Sequence, residues 1–149
     1  MSVQELIART LERANEARVA IGKEPLAELR KGTAEDPDGC PLALSLDGGE
    51  VTIDYTHAVF PTAEEAEKVR AVWDMPVWDG ALGLHPTNLD RAARELLFAE
   101  YRKRTVRLPA DIEEFPSRFD HYEDFSDTSE EHELFRDLDL NSDWNEEDD

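Results

Sequence analysis

The last thirty residues of the chain, 120–149, hold fourteen acidic side chains and one base, Arg136, a net charge of −13 in a protein of −20. Charge this dense repels itself, so a segment built this way is a poor source of hydrophobic core. The core is therefore expected from residues 1–120, with 121–149 as an acidic tail that is partly disordered or folded onto the domain or a partner. The tail is not purely polar, because Phe125, Leu134, Phe135, Leu138, Leu140 and Trp144 run through the carboxylates. Acid interleaved with bulky apolar side chains is the pattern of a recognition element. The candidate partner-binding residues are Phe125, Leu134, Phe135, Leu138 and Trp144, with Asp137 and Asp139 beside them and Trp78 in the preceding domain.

A chain of 149 residues has the length of one domain and buries roughly 68–70% of its unfolded surface without staples. Cys40 is the single cysteine, so no intramolecular disulfide forms. The N-terminus MSVQELIART lacks the positive and apolar regions of a secretory signal, and the apolar runs fall far short of the ~20 residues that span a bilayer. A cytoplasmic protein with no membrane segment is expected. Residues 1–110 carry a net −5 and residues 111–149 a net −15. A field of that sign disfavours direct contact with nucleic acid or anionic membrane and speeds association with a basic protein.

Taken in order, Ser2 with Glu5 forms a capping box for an amphipathic helix over 3–21, ended by Gly22. Pro25 and Gly32 frame a second short helix, EPLAELRK. TAEDPDG, 33–39, reads as a turn-rich loop. Residues 42–46 are open between a strand, on the alternation of Leu42, Leu44 and Leu46, and a short helix opened by Pro41; the helix is favoured. Glu50–Asp54 and Thr56–Phe60 read as an antiparallel β-hairpin. Thr62 with Glu65 caps the next helix, which carries Ala66, Val69, Val72 and Trp73. Residues 74–87 are a loop broken by Pro76, Gly80, Gly83 and Pro86. Thr87 caps a long helix, Asn88–Arg104, with a basic last turn, and Leu108-Pro109 opens a final one kinked or split at Pro116. The expected fold class is α+β: one mostly helical domain of about five helices, a small antiparallel hairpin and the acidic tail.

Cys40-Pro41-Leu42-Ala43, the two short strands, the Thr62-capped helix and the segment from Leu108-Pro109 to Arg118-Phe119-Asp120 resemble uncharacterised small proteins of actinobacteria and their phages. The resemblance covers about residues 38–120. It implies no activity and transfers no functional residues.

Cys40, His57 and Asp54 are the parts of a thiol nucleophile, its base and an orienting carboxylate, although a lone cysteine is more often a small buried hydrophobe. His57, His85, His121 and His132 show no zinc-ligand spacing. Asp137, Asp139, Asn141, Asp143 and Asn145 alternate like an EF-hand loop, but Ser142 stands at the turning glycine and Asp148 at the bidentate glutamate. No metal ligands, cofactor or catalytic residues are assigned. Trp73 and Trp78 flank a loop as core plugs or as contact anchors. EHELFRDLDL, 131–140, places Leu134, Phe135 and Leu138 on one stripe if helical, to fold into a partner's groove or back over the basic end of the 88–104 helix.

These readings favour a non-enzymatic protein that binds and regulates a basic partner, as a nucleic-acid mimic, an immunity-like or an antitoxin-like protein. A small cysteine-dependent hydrolase using Cys40 and His57 is the alternative, and a phage or bacterial accessory structural protein is a third. Oligomeric state is left open.

Overall fold

A computed structural model describes residues 2–33, 39–47, 50–54, 56–77, 91–122 and 129–139. Within them the chain forms α1 (Val3–Ala20), α2 (Pro41–Asp47), β1 (Thr52–Asp54), β2 (His57–Val59), α3 (Ala63–Trp73), α4 (Arg91–Arg104), β3 (Thr105–Arg107), α5 (Phe115–Asp120) and α6 (Glu130–Leu138). The fold is α+β and mostly helical, with one small antiparallel sheet.

The helix starts follow local chemistry. The Ser2 hydroxyl accepts from the Glu5 amide at 3.2 Å, and the Thr62 hydroxyl accepts from the Glu65 amide at 3.2 Å, each satisfying a donor that an N-terminal turn leaves open. At α2 the cap is the Cys40 sulfur, which accepts from the Ala43 amide at 3.4 Å. Pro41 at its first position settles residues 42–46 as helix. α1 gives way at Gly22, whose φ of 88° suits a residue without Cβ. α3 closes on Asp74 in the left-handed region, at φ 54°.

The hairpin gains a third strand. β2 lies centrally, pairing Ala58 with Ile53 of β1 and with Val106 of β3. Amide bonds from Phe60 to the Arg104 carbonyl, 2.8 Å, and from Leu108 to Thr56, 2.9 Å, extend the β2–β3 ladder. Thr105 and Val106 are buried and Arg107 is exposed, which is how a strand running straight out of α4 covers one face of the core. α1 packs on α2 and α3, and Leu6, Leu42, Leu46, Val51, Phe60, Val69 and Ile112 fill the space between helices and sheet.

One expected helix is not formed and another starts late. Residues 25–31 are irregular, because long-range side chains claim their backbone. The Asn15 amide bonds Leu26 on both sides, donating to its carbonyl at 2.9 Å and accepting from its N–H at 2.7 Å. The Arg30 amide donates to the Ser45 hydroxyl, 2.9 Å. Residues 109–114 form turns, with bonds from Ile112 to Pro109 and Phe115 to Ile112, and helix begins only at Phe115, where Pro116 fits the first turn. The expected cap Thr87 and the start at Asn88 lie outside the described residues, as do Trp78, Phe125, Leu140 and Trp144.

The domain does not account for its apolar residues without the tail. Phe135 is fully buried among Phe115, Phe119 and Tyr122, in edge-to-face contact with Phe115 and Phe119 at centroid distances of 5.9 Å. α6 thereby completes the core. Its neighbours are α5 and α1, and Arg118 of α5, rather than the basic last turn of α4, meets Glu131 at 2.7 Å.

Candidate functional site

α6 sorts its side chains by face. Ser129 caps it, accepting from the His132 amide at 3.0 Å, and Glu130, Glu131 and Glu133 in the first turn complement the helix dipole. Phe135 and His132 are buried, and Leu134 and Leu138 are half-buried against the core. Just past the helix, Asp139 is 2% exposed. Its Oδ2 accepts from the Tyr122 hydroxyl at 2.5 Å, and its backbone pairs in parallel with Gly32. The Gly32 amide donates to the Leu138 carbonyl at 2.8 Å.

This geometry redistributes the residues expected to touch a partner. Phe135 and Asp139 are interior groups, so they do not form a contact surface: the aromatic cluster of α5 takes the first and Tyr122 the second. Leu134 and Leu138 are largely spent on the same packing. Asp137 remains exposed. Phe125, Trp144 and Trp78 fall outside the described residues. Trp73 is a core residue, 3% exposed, whose indole donates to the Arg13 carbonyl at 2.9 Å.

With the apolar side turned inward, Glu130, Glu133 and Asp137 are exposed at i, i+3 and i+7. At 100° per residue they lie within about 60° of one another, in a row about 10 Å long. Glu130 and Glu133 were not singled out from the sequence. The signal was present as acids set opposite the apolar stripe, but only a folded-back helix gives that opposition a fixed direction.

The same arrangement breaks up the EF-hand-like spacing. Asp137 sits on a helix and Asp139 is turned inward to Tyr122, so the first two alternating positions do not converge on a common point.

Cys40 is buried, and its sulfur faces the start of α2. A cysteine nucleophile needs an accessible sulfur, and that of Cys40 is buried. His57 lies on the central strand, paired with Arg107 and Asp54, and is likewise buried.

Elsewhere, Arg9, Glu12, Arg13, Glu16, Val19 and Val72 line an open groove of about 910 Å³ along α1. No described helix is long and apolar enough to cross a membrane. No protein-family model, curated protein or solved structure matches the chain, so the arrangement of its own residues is what bears on its function.

Proposed function

We propose that this protein is a non-enzymatic binder of a basic protein, which it inhibits or regulates by occupying a cationic surface with carboxylates. The observation that carries this reading is the burial of Phe135. It fixes the roll of α6, so that Glu130, Glu133 and Asp137 are held outward on one rigid helical face. A row of anions on a fixed support loses less conformational entropy on binding than the same charges on a flexible arm. Lys and Arg side chains that normally meet a line of phosphates would meet this line of carboxylates, and the association would weaken with salt as nucleic-acid binding does. The surrounding charge, net −15 over residues 111–149, would steer a cationic partner toward it. A nucleic-acid mimic, an immunity-like and an antitoxin-like protein all use this physics and differ only in the partner.

The reading is tested by capture from a lysate on the immobilised full chain, followed by affinity measurement with the retained protein at several salt concentrations. A basic protein is expected, with affinity falling steeply as salt rises. The variant carrying Glu130→Gln, Glu133→Gln and Asp137→Asn should bind it at least about tenfold more weakly, with a shallower salt dependence. Equal binding by the variant, or retention of no basic protein, overturns the proposal.

A further inference from the structure

We infer that α1 carries a self-complementary face through which two copies of this chain pair, antiparallel, about a two-fold axis. The face is the groove lined by Arg9, Glu12, Arg13 and Glu16 together with Val19 and Val72. The four charged residues recur at i, i+3, i+4 and i+7, which puts them on one stripe of the helix. Their order is cation, anion, cation, anion. Reversing the stripe exchanges every sign, so a second α1 laid antiparallel across the point midway between Glu12 and Arg13 brings Arg9 against Glu16 of the other copy. The same operation brings Glu12 against the other copy's Arg13. Each contact occurs twice, as an isologous interface requires.

The occupant follows from the charge. The chain as a whole is −20 and would repel a copy of itself over most of its surface. Here two arginines offset two glutamates, and with Asp111 against Arg13 the local sum is only −1, so a like-charged copy approaches against a weak field. A cationic partner gains little from a nearly balanced face and more from the carboxylates of α6. Within one copy the charges are already ordered, Arg9 to Glu12 at 3.2 Å and Arg13 to Glu16 at 3.2 Å. Arg13 is further fixed by Asp111, at 3.2 Å.

The ion pairs set orientation and register more than affinity, since exposed pairs individually contribute little. Apolar burial comes from the edges of the groove. Val19 is 60% exposed and Val72 41%, and the arginine stems add to the apolar area. The stripe from Arg9 to Glu16 spans about 10 Å at the middle of α1, a helix about 27 Å long.

The test uses the full chain and two single substitutions at exposed positions, Arg9→Glu and Glu16→Arg, whose side chains are 57% and 42% accessible. Circular dichroism verifies that each variant is folded. In sedimentation equilibrium the unaltered chain is expected to dimerise with rising concentration. Either variant alone sets like charges against each other twice and should dimerise about tenfold or more weakly. Mixed in equal amounts, the two restore both opposite-charge contacts, and a heterodimer should form with affinity within about threefold of the unaltered chain. A chain monomeric at every concentration overturns the inference. So does a dimer indifferent to either substitution, or a pair of weakened variants that mixing does not rescue.

Discussion

The hydroxyl of Tyr122 donates to Oδ2 of Asp139, and both side chains are buried where the end of α6 meets the end of α5. With Phe135 on the preceding turn, this bond fastens an acidic segment into a hydrophobic interior. Removing the phenolic oxygen takes a donor from a buried carboxylate. Tyr122→Phe should therefore lower stability by about 1–2 kcal/mol. Phe135→Ala, which empties the centre of the aromatic cluster, should cost about 3–5 kcal/mol. Urea unfolding monitored by tryptophan fluorescence measures both, and a change below about 0.5 kcal/mol for Phe135→Ala would show that α6 is not part of the core.

Truncation should behave asymmetrically along the acidic segment. A chain ending at Asp139 keeps every core residue named above and should melt within about 3 °C of the full chain. A chain ending at Thr128 loses Phe135, the Arg118–Glu131 pair and the Gly32–Leu138 bond. Its melting temperature should fall by about 10 °C or more. Calorimetry decides between the two. Binding experiments that delete all of 121–149 would mix loss of recognition with loss of fold, which is why charge-neutralising substitutions on α6 are the cleaner probe.

What the sequence disclosed was mostly local. Ser2 and Thr62 mark helix starts because a cap needs only the next three residues, and the Leu/Ala periodicity of α1 states its own amphipathicity. The β-rich runs Glu50–Asp54 and Thr56–Phe60 are equally plain, but β3 is not: three residues emerging directly from a helix give no alternation long enough to recognise. EPLAELRK has the composition of a helix, and its backbone is claimed by Asn15 and Ser45, partners distant in sequence. The apolar stripe of α6 was legible too. Its destination was not, because the gap it fills is shaped by Phe115, Phe119 and Tyr122 after the 109–114 turns have set the direction of α5.

Asn15 provides a direct check on that account. Asn15→Ala removes both bonds to the Leu26 backbone and should cost about 1–3 kcal/mol. Amide exchange at Leu26 should accelerate well beyond the global effect, since its own donor is released. Unchanged protection at Leu26 would mean that the segment is held by other contacts.

Cys40 gives a second probe. Its burial and its place at the start of α2 predict that a thiol reagent labels the native protein slowly, at a rate that rises with unfolding. Rapid labelling under native conditions, faster than a free thiol in a short peptide, would reveal an activated accessible thiolate and reopen hydrolytic chemistry at this residue.

Gly32 stands where three segments converge. A Cβ there would lie 2.6 Å from the Pro41 nitrogen and against the Gly39 carbonyl, while its amide reaches the Leu138 carbonyl. The consequence concerns synthesis. During synthesis the first helix and the sheet precede residue 138, so among the described residues the core contacts of α6 form only after nearly all of them have been made. Until then the nascent protein presents apolar surface that its own acidic segment has yet to cover, and the charge carried by that segment arrives together with the phenylalanine that closes the fold.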